Sequence, residues 1–199
     1  MDHEPTRSRQ WQAWRARVDL TEYDERWDRM AATGAAVHGE ADAVCRLGAT
    51  RALDAGCGTG RVAVELSRRG LDVWGVDNDP DMVELARPKS SAVTWVVDDL
   101  ASVHLGTTFD VIVMAGNVLL FVEEGSESAI VANLARHLDP GGHLIAGFQL
   151  DGRLPLDAYD AWCERAELSL TERWANWDGD AHDDADYAVS VHRMAAPRS

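Results

Sequence analysis

The chain has 199 residues, 46% hydrophobic and 27% charged, a balance that fits one globular domain with enough apolar material for a core. Lys and Arg number 19 against 34 Asp and Glu, and the formal net charge of -15 argues against nucleic acid or an anionic membrane surface as partner. Three cysteines, Cys45, Cys57 and Cys163, make no CxxC pair and no even disulfide framework, no secretory h-region opens the chain, and no apolar run approaches the ~20 residues that span a bilayer. A cytoplasmic protein is expected, with nothing to choose between monomer and dimer.

In chain order, helical patterns cover roughly residues 8–18, 23–30 and 40–47, so that residues 1–48 read as a helical lid segment. From Arg51 onward, short β-branched runs alternate with helical patterns, which is the pattern of βαβ units and a parallel sheet. Strands are predicted over residues 51–55, 72–76, 93–97, 110–115 and 143–148. A helix over 61–69 stops at Gly70, and another begins at Asp79-Pro80, with Asp as N-cap and Pro at the first helical position. A helix over 126–138 carries Ile130, Leu134 and Leu138 on its buried stripe and ends before Pro140-Gly141-Gly142. Residues 49–150 thus form a core unit. Residues 151–199 add a helix over 155–165 and two extended segments, 168–175 and 187–194, whose Asp-rich connection suits an antiparallel hairpin.

The segment Leu53-Asp54-Ala55-Gly56-Cys57-Gly58-Thr59-Gly60-Arg61 lies between a strand and a helix, where backbone N–H groups and the helix dipole meet a ligand. Its GxGxG spacing places Arg61 where a dinucleotide fingerprint has its third Gly or Ala. Asp54 ends the first strand, poorly placed beside a pyrophosphate and well placed for a ligand carrying a positive charge. S-adenosylmethionine (SAM) has an ammonium, a sulfonium and no phosphate. A tight turn in which Asp54 caps backbone amides is the plainer reading of the same residues.

Asp77 ends the second strand, 21 residues after Gly56, where a carboxylate accepts from both ribose hydroxyls or, more plainly, caps a turn. Asn78 either flanks an adenine or starts that turn. At the end of the third strand, Asp99 suits an adenine amino group and the Leu100 amide a ring nitrogen, unless Asp98-Asp99 is simply a solvated pair. After the fourth strand, Gly116 offers bare backbone to the reacting groups and Asn117 an orienting amide, unless the two only make a turn. Cys57 reads as a small buried filler.

Together these residues resemble the class I SAM-dependent methyltransferase superfamily, over roughly residues 23–194. Residues 53–61 are similar to its first motif, Val76-Asp77 to its ribose-binding acid, Asp99-Leu100 to its adenine-binding pair, Phe109–Val113 to its fourth strand and Leu138–Gly142 to the turn before its fifth. The resemblance implies a Rossmann-like α/β fold: a seven-stranded, mostly parallel sheet with helices on both faces, its antiparallel C-terminal strand between the fifth and sixth. It implies SAM as cofactor, held by Asp54, Gly56, Gly58, Gly60, Asp77, Asn78, Asp99, Leu100, Gly116 and Asn117, with methyl transfer by in-line displacement. The Asn/Asp-Pro-Pro-Tyr/Phe motif of nucleic-acid base methyltransferases is not matched by Ala115-Gly-Asn-Val118, which favours a small-molecule acceptor.

Lid candidates are Tyr23, Trp27, Trp174 and Trp177, and catalytic candidates are Asn117, His38 as a base, and Tyr23. Each has a plainer reading as core, cap or surface group. His182, Asp183 and Asp184 read as a solvated turn rather than a metal site, and no metal is expected. Two other functions fit part of the pattern. A SAM-binding protein without catalysis needs the same loop and acids. A nicotinamide-dependent oxidoreductase is disfavoured by Asp54, by the loop spacing and by the lack of a Tyr-x-x-x-Lys pair.

Overall fold

Strands that are apolar on both faces need helices on both sides, and the structure supplies them. In the computed structural model, which describes residues 7–34, 36–183 and 185–196, seven strands form one sheet. They are β1 (Arg51–Ala55), β2 (Asp72–Asp77), β3 (Thr94–Val97), β4 (Phe109–Met114), β5 (Leu138–Gln149), β6 (Leu168–Trp174) and β7 (Tyr187–Met194). Their order is β3-β2-β1-β4-β5-β7-β6. The first five are parallel and β7 runs antiparallel to both β5 and β6.

The helices are α1 (Arg9–Arg15), α2 (Leu20–Ala32), α3 (Gly39–Arg46), α4 (Arg61–Arg68), α5 (Pro80–Ala86), α6 (Val118–Phe121), α7 (Glu127–Ala135) and α8 (Leu156–Arg165). Neighbouring strand residues feed opposite cores. Leu53, Ile112 and Leu144 pack with α6, α7 and α8, while Ala52, Val111 and Ile145 pack with α3, α4 and α5. Asp79 caps α5 through its side chain, which accepts from the Asp81 N–H at 3.0 Å.

Two elements differ from the sequence reading. Helix α7 ends at Ala135, and Leu138 instead opens β5 opposite Phe109; it is buried, but in the sheet rather than on a helical stripe. The Asp139–Gly142 run continues extended as part of β5, with a register shift opposite Phe109 and Val111. Gly142 permits this, since a Cβ there would lie 2.9 Å from the Asp110 and Asp139 carbonyl oxygens. The one-turn helix α6 was not expected; four residues are too few to show a period.

Chain order reverses between β1 and β4, with β2 and β3 on one side and β5 on the other. In open α/β sheets, ligands bind at this point, beyond the carboxyl ends of the strands.

Candidate functional site

A crevice of about 570 Å³ opens there. Nine of the ten predicted cofactor residues line it: Asp54, Gly56, Gly58, Asp77, Asn78, Asp99, Leu100, Gly116 and Asn117. Gly60 does not. It is the left-handed N-cap of α4 (φ +85°), and a Cβ on it would lie 2.5 Å from the Trp95 ring, so it serves close packing of loop on sheet. Gly58 (φ +53°) has open space where its Cβ would be, which leaves bare backbone facing the crevice.

Asp54 is both a cap and a crevice residue. One carboxylate oxygen accepts the Ala63 N–H of α4 at 3.0 Å, and burial pushes its pKa up to about 7, against the lowering effect of that bond and of Arg61. Asp77 accepts the Gly58 N–H at 2.8 Å and the Asp79 N–H at 2.9 Å, and burial raises it to about 6. Two carboxyls are thus held out of water with no cation in hydrogen-bond contact, and an incoming positive charge relieves that cost. Asp99, rather than Asp98, reaches the crevice, while its Oδ1 accepts the Ala101 N–H at 2.8 Å.

Asn117 takes a left-handed conformation (φ +67°), and its Oδ1 accepts the Gln149 N–H at 2.8 Å, which ties the end of β4 to β5. Its side-chain oxygen is therefore engaged in the fold, and its NH2 is the group available to the crevice. Burial holds the Cys57 thiol well above its ordinary pKa, which suits a filler and not a nucleophile.

The other candidates separate cleanly. Tyr23, Trp27 and Trp177 line the crevice, whereas Trp174 is buried in the sheet-side core beneath the Arg46 guanidinium. His38 also lies outside the crevice, at the start of α3, with Nε2 3.8 Å from Glu65. Asp184 lies outside the described residues, and among those described no group of three or more His, Cys, Asp or Glu is placed to hold a metal.

Several lining residues were missed. Trp11 and Trp14 stack at 4.8 Å, Trp14 meets Phe121 at 5.9 Å, and the Trp11 indole N–H donates to Asp79 at 3.2 Å, fixing α1 over the crevice. The Arg61 guanidinium is taken by both carboxylate oxygens of Glu40, 21 positions earlier, and lies 4.1 Å over the Trp27 ring. Tyr187 accepts from the Trp177 indole at 3.1 Å, and burial pushes its phenol up to about 12, so it stays protonated. Pairings across such distances leave no local pattern in sequence.

The fold and the crevice define a Rossmann-like α/β protein whose candidate ligand site holds two desolvated carboxyls. Comparison with known proteins narrows the class. A family model described as a methyltransferase domain matches residues 52–142. A TehB-like SAM-dependent methyltransferase from Corynebacterium glutamicum, of known crystal structure, is 34% identical, with a TM-score of 0.80 over 88% of this chain and 97% of that one. The magnesium-protoporphyrin O-methyltransferase of Rhodobacter capsulatus is 37% identical over 101 residues, 43% of this chain and 45% of that protein. An amino pentose methyltransferase from Micromonospora echinaspora, solved with SAM bound, shares the fold at 20% identity, with a TM-score of 0.69 over 89% of this chain and 98% of that one.

The chain belongs to the SAM-dependent methyltransferases. It spans about half the length, or less, of the first curated relatives it matches. The residues present fit the family's cofactor: the Asp54 carboxyl is buried with no cation in hydrogen-bond contact, a cost that an ammonium would relieve, and the space beside the Gly58 backbone is open.

Proposed function

We propose that this chain transfers the methyl group of SAM to a small-molecule acceptor. The observation that carries the reading is the alignment of Asp54, Asp77 and Asp99 at the carboxyl ends of β1, β2 and β3, along one crevice. In this account Asp54 holds the cofactor's ammonium, Asp77 the ribose hydroxyls, and Asp99 with the Leu100 N–H the adenine edge. When bound, the cofactor supplies an electrophilic methyl group on a sulfonium with a neutral leaving group.

The chain's own work is orientation and exclusion of water. Gly116 leaves room for the reacting centres, and the NH2 of Asn117 helps to orient them. The α1 and α2 aromatics, Trp11, Trp14, Tyr23 and Trp27, form the lid, with Trp177 and Tyr187 as the opposite wall. A base is needed only for an acceptor that must lose a proton before attack.

Two observations favour a small acceptor. The net charge of -15 repels polyphosphate, and the related amino pentose and magnesium-protoporphyrin methyltransferases act on small molecules. The test is release of S-adenosylhomocysteine from SAM when the protein meets panels of small amines, alcohols, thiols and carboxylates. Turnover with one class supports the reading. Tight binding of S-adenosylhomocysteine with no turnover on any panel favours the non-catalytic SAM-binding protein.

A further inference from the structure

With the reacting centre beside Gly116, the acceptor meets the crevice wall at the carboxyl ends of β4 and β5, and two polar side chains face it there. One is Asn117, whose Oδ1 is taken by the Gln149 N–H at 2.8 Å and whose NH2 has no acceptor among the described residues. The other is Tyr187, paired with Gln149 across β5 and β7. Its hydroxyl oxygen accepts the Trp177 indole N–H at 3.1 Å, and its own proton has no acceptor among the described residues. The hydroxyl lies over Gly147, where a Cβ would stand 2.5 Å from it, and the Gly147 carbonyl takes the Asn117 backbone N–H at 3.3 Å. Asn117 and Tyr187 are thus tied to the same two residues of β5, and each has a donor left over. Burial pushes the phenol up to about 12, so its proton is in place at neutral pH.

No free base accompanies these donors. Glu40 has both oxygens on the Arg61 guanidinium, Glu123 is exposed at the rim, the three strand-end acids are assigned to the cofactor, and no described histidine lines the crevice. An alcohol that must lose a proton before attack is poorly served by such a wall. An amine is served no better. Its single lone pair is the nucleophile, so a donor bonded to that pair blocks attack, and the methylated nitrogen becomes a cation facing donors. An ionised oxygen has three lone pairs, accepts from both donors and keeps one pair for the methyl carbon. Arg26, whose guanidinium lies over the Tyr23 and Trp27 rings, adds positive charge on the lid side for an entering anion.

We propose that the Tyr187 hydroxyl and the Asn117 NH2 together hold the oxygen of an acceptor already ionised at neutral pH, a carboxylate or an acidic phenol or enol, so that the reaction is an O-methylation. The inference rests on the SAM reading and names the acceptor class for the same site. The acceptor oxygen's lone pair forms the new O–C bond, the C–S bond breaks with its electron pair left on sulfur, the two opposite charges cancel, and no proton moves. Because negative charge fades along that path, the donors act on binding and alignment, and their loss should appear in KM before kcat.

The test uses the S-adenosylhomocysteine complex at pH 7.5 and three probes with one ring each: phenylacetate, 4-nitrophenol and phenethylamine. By calorimetry the two acids should bind ~10-fold or more tighter than the amine, the scale of charged hydrogen bonds. Bound 4-nitrophenol should also show its anion's absorbance at lower pH than the free probe does. Tyr187→Phe should weaken both acids ~10-fold, move the bound 4-nitrophenol titration up by about one pH unit, and leave phenethylamine and S-adenosylhomocysteine within about twofold. Trp177→Phe retains the Tyr187 O–H and should keep the preference for acids, whatever it does to all three affinities together. In turnover, the acids should yield methyl esters or ethers and the amine no N-methyl product. A complex that binds the amine best or binds no probe overturns the proposal. So does a Tyr187→Phe protein that keeps the wild-type preference or loses S-adenosylhomocysteine along with the acids, and so does a Trp177→Phe protein that loses the preference. Wild-type protein that fails to bind S-adenosylhomocysteine overturns the SAM reading itself.

Discussion

Acidification should expel the cofactor, by an amount set chiefly by one buried carboxyl, Asp54. Burial raises Asp54 to about 7, so in the cofactor-free protein it is mostly protonated at pH 5 and mostly ionised at pH 7.5. The ammonium of S-adenosylhomocysteine stays charged across that interval and pairs with the ionised form alone. A proton thus competes with the ligand at low pH, and the apparent Kd should rise roughly 50- to 100-fold between pH 7.5 and 5.

Stability must move in the matching direction. The folded-state pKa lies above the unfolded value, so the native state binds more protons between about pH 4 and 7. The cofactor-free protein therefore loses stability as pH rises through that window. For the Asp54 rise from 3.8 to about 7, at ~1.4 kcal/mol per pH unit, the loss is on the order of 4 kcal/mol, and the rise of Asp77 from 3.8 to about 6 adds to it in the same direction. Stabilisation by S-adenosylhomocysteine should accordingly be largest above pH 7. Calorimetry and thermal melts from pH 5 to 7.5 read both effects. Asp54→Asn keeps an oxygen for the Ala63 N–H and should bind weakly, with a much flatter pH profile. A wild-type Kd that is flat across this range refutes the reasoning, and one that improves on acidification points to an anionic ligand instead.

Asp77→Ala should cost roughly 1.5–3 kcal/mol of binding for both S-adenosylhomocysteine and 5′-methylthioadenosine, because the lost contacts are to the ribose they share; calorimetry with the pair would expose a loss confined to one. Gly60→Ala and Gly58→Ala should separate stability from binding. The first adds strain at φ +85° and a clash with Trp95, and should lower the unfolding free energy by about 2–4 kcal/mol in a urea titration; the second has open space, and should cost about 1 kcal/mol of stability and a larger share of ligand affinity. Gly147→Ala should disturb the wall opposite the lid, since its Cβ would lie 2.3 Å from Trp177 and 2.5 Å from the Tyr187 hydroxyl. Its expected mark is a changed tryptophan emission and a raised KM for the acceptor, with S-adenosylhomocysteine affinity nearly intact.

The parts of the fold that could be read from sequence are those where one local cause dominates. Strands such as Val111–Met114 are apolar throughout because helices cover both faces, and the Asp79-Pro80 cap acts within a few residues of itself. Leu138 misled because an apolar residue at helical spacing is equally at home at the start of a buried strand; what moves it is the pairing with Phe109, a contact 29 positions away. The crevice divides in the same manner. Each acid at a strand end is announced by the strand before it, and the structure places Asp54, Asp77 and Asp99 together. The lid depends on which face of an amphipathic helix or hairpin end turns inward, so Trp174 and Trp177, three positions apart, part company: one enters the core and the other faces the crevice. Arg61 with Glu40, and Tyr187 with Trp177, meet only once the chain has folded.

Competitive titration at pH 7.5 addresses the central claim most directly. S-adenosylhomocysteine should saturate a single site and should not be displaced by NAD, whose pyrophosphate would have to lie on the glycine loop beside Asp54. NAD seated in that site, with S-adenosylhomocysteine producing no heat, would contradict the account at its root.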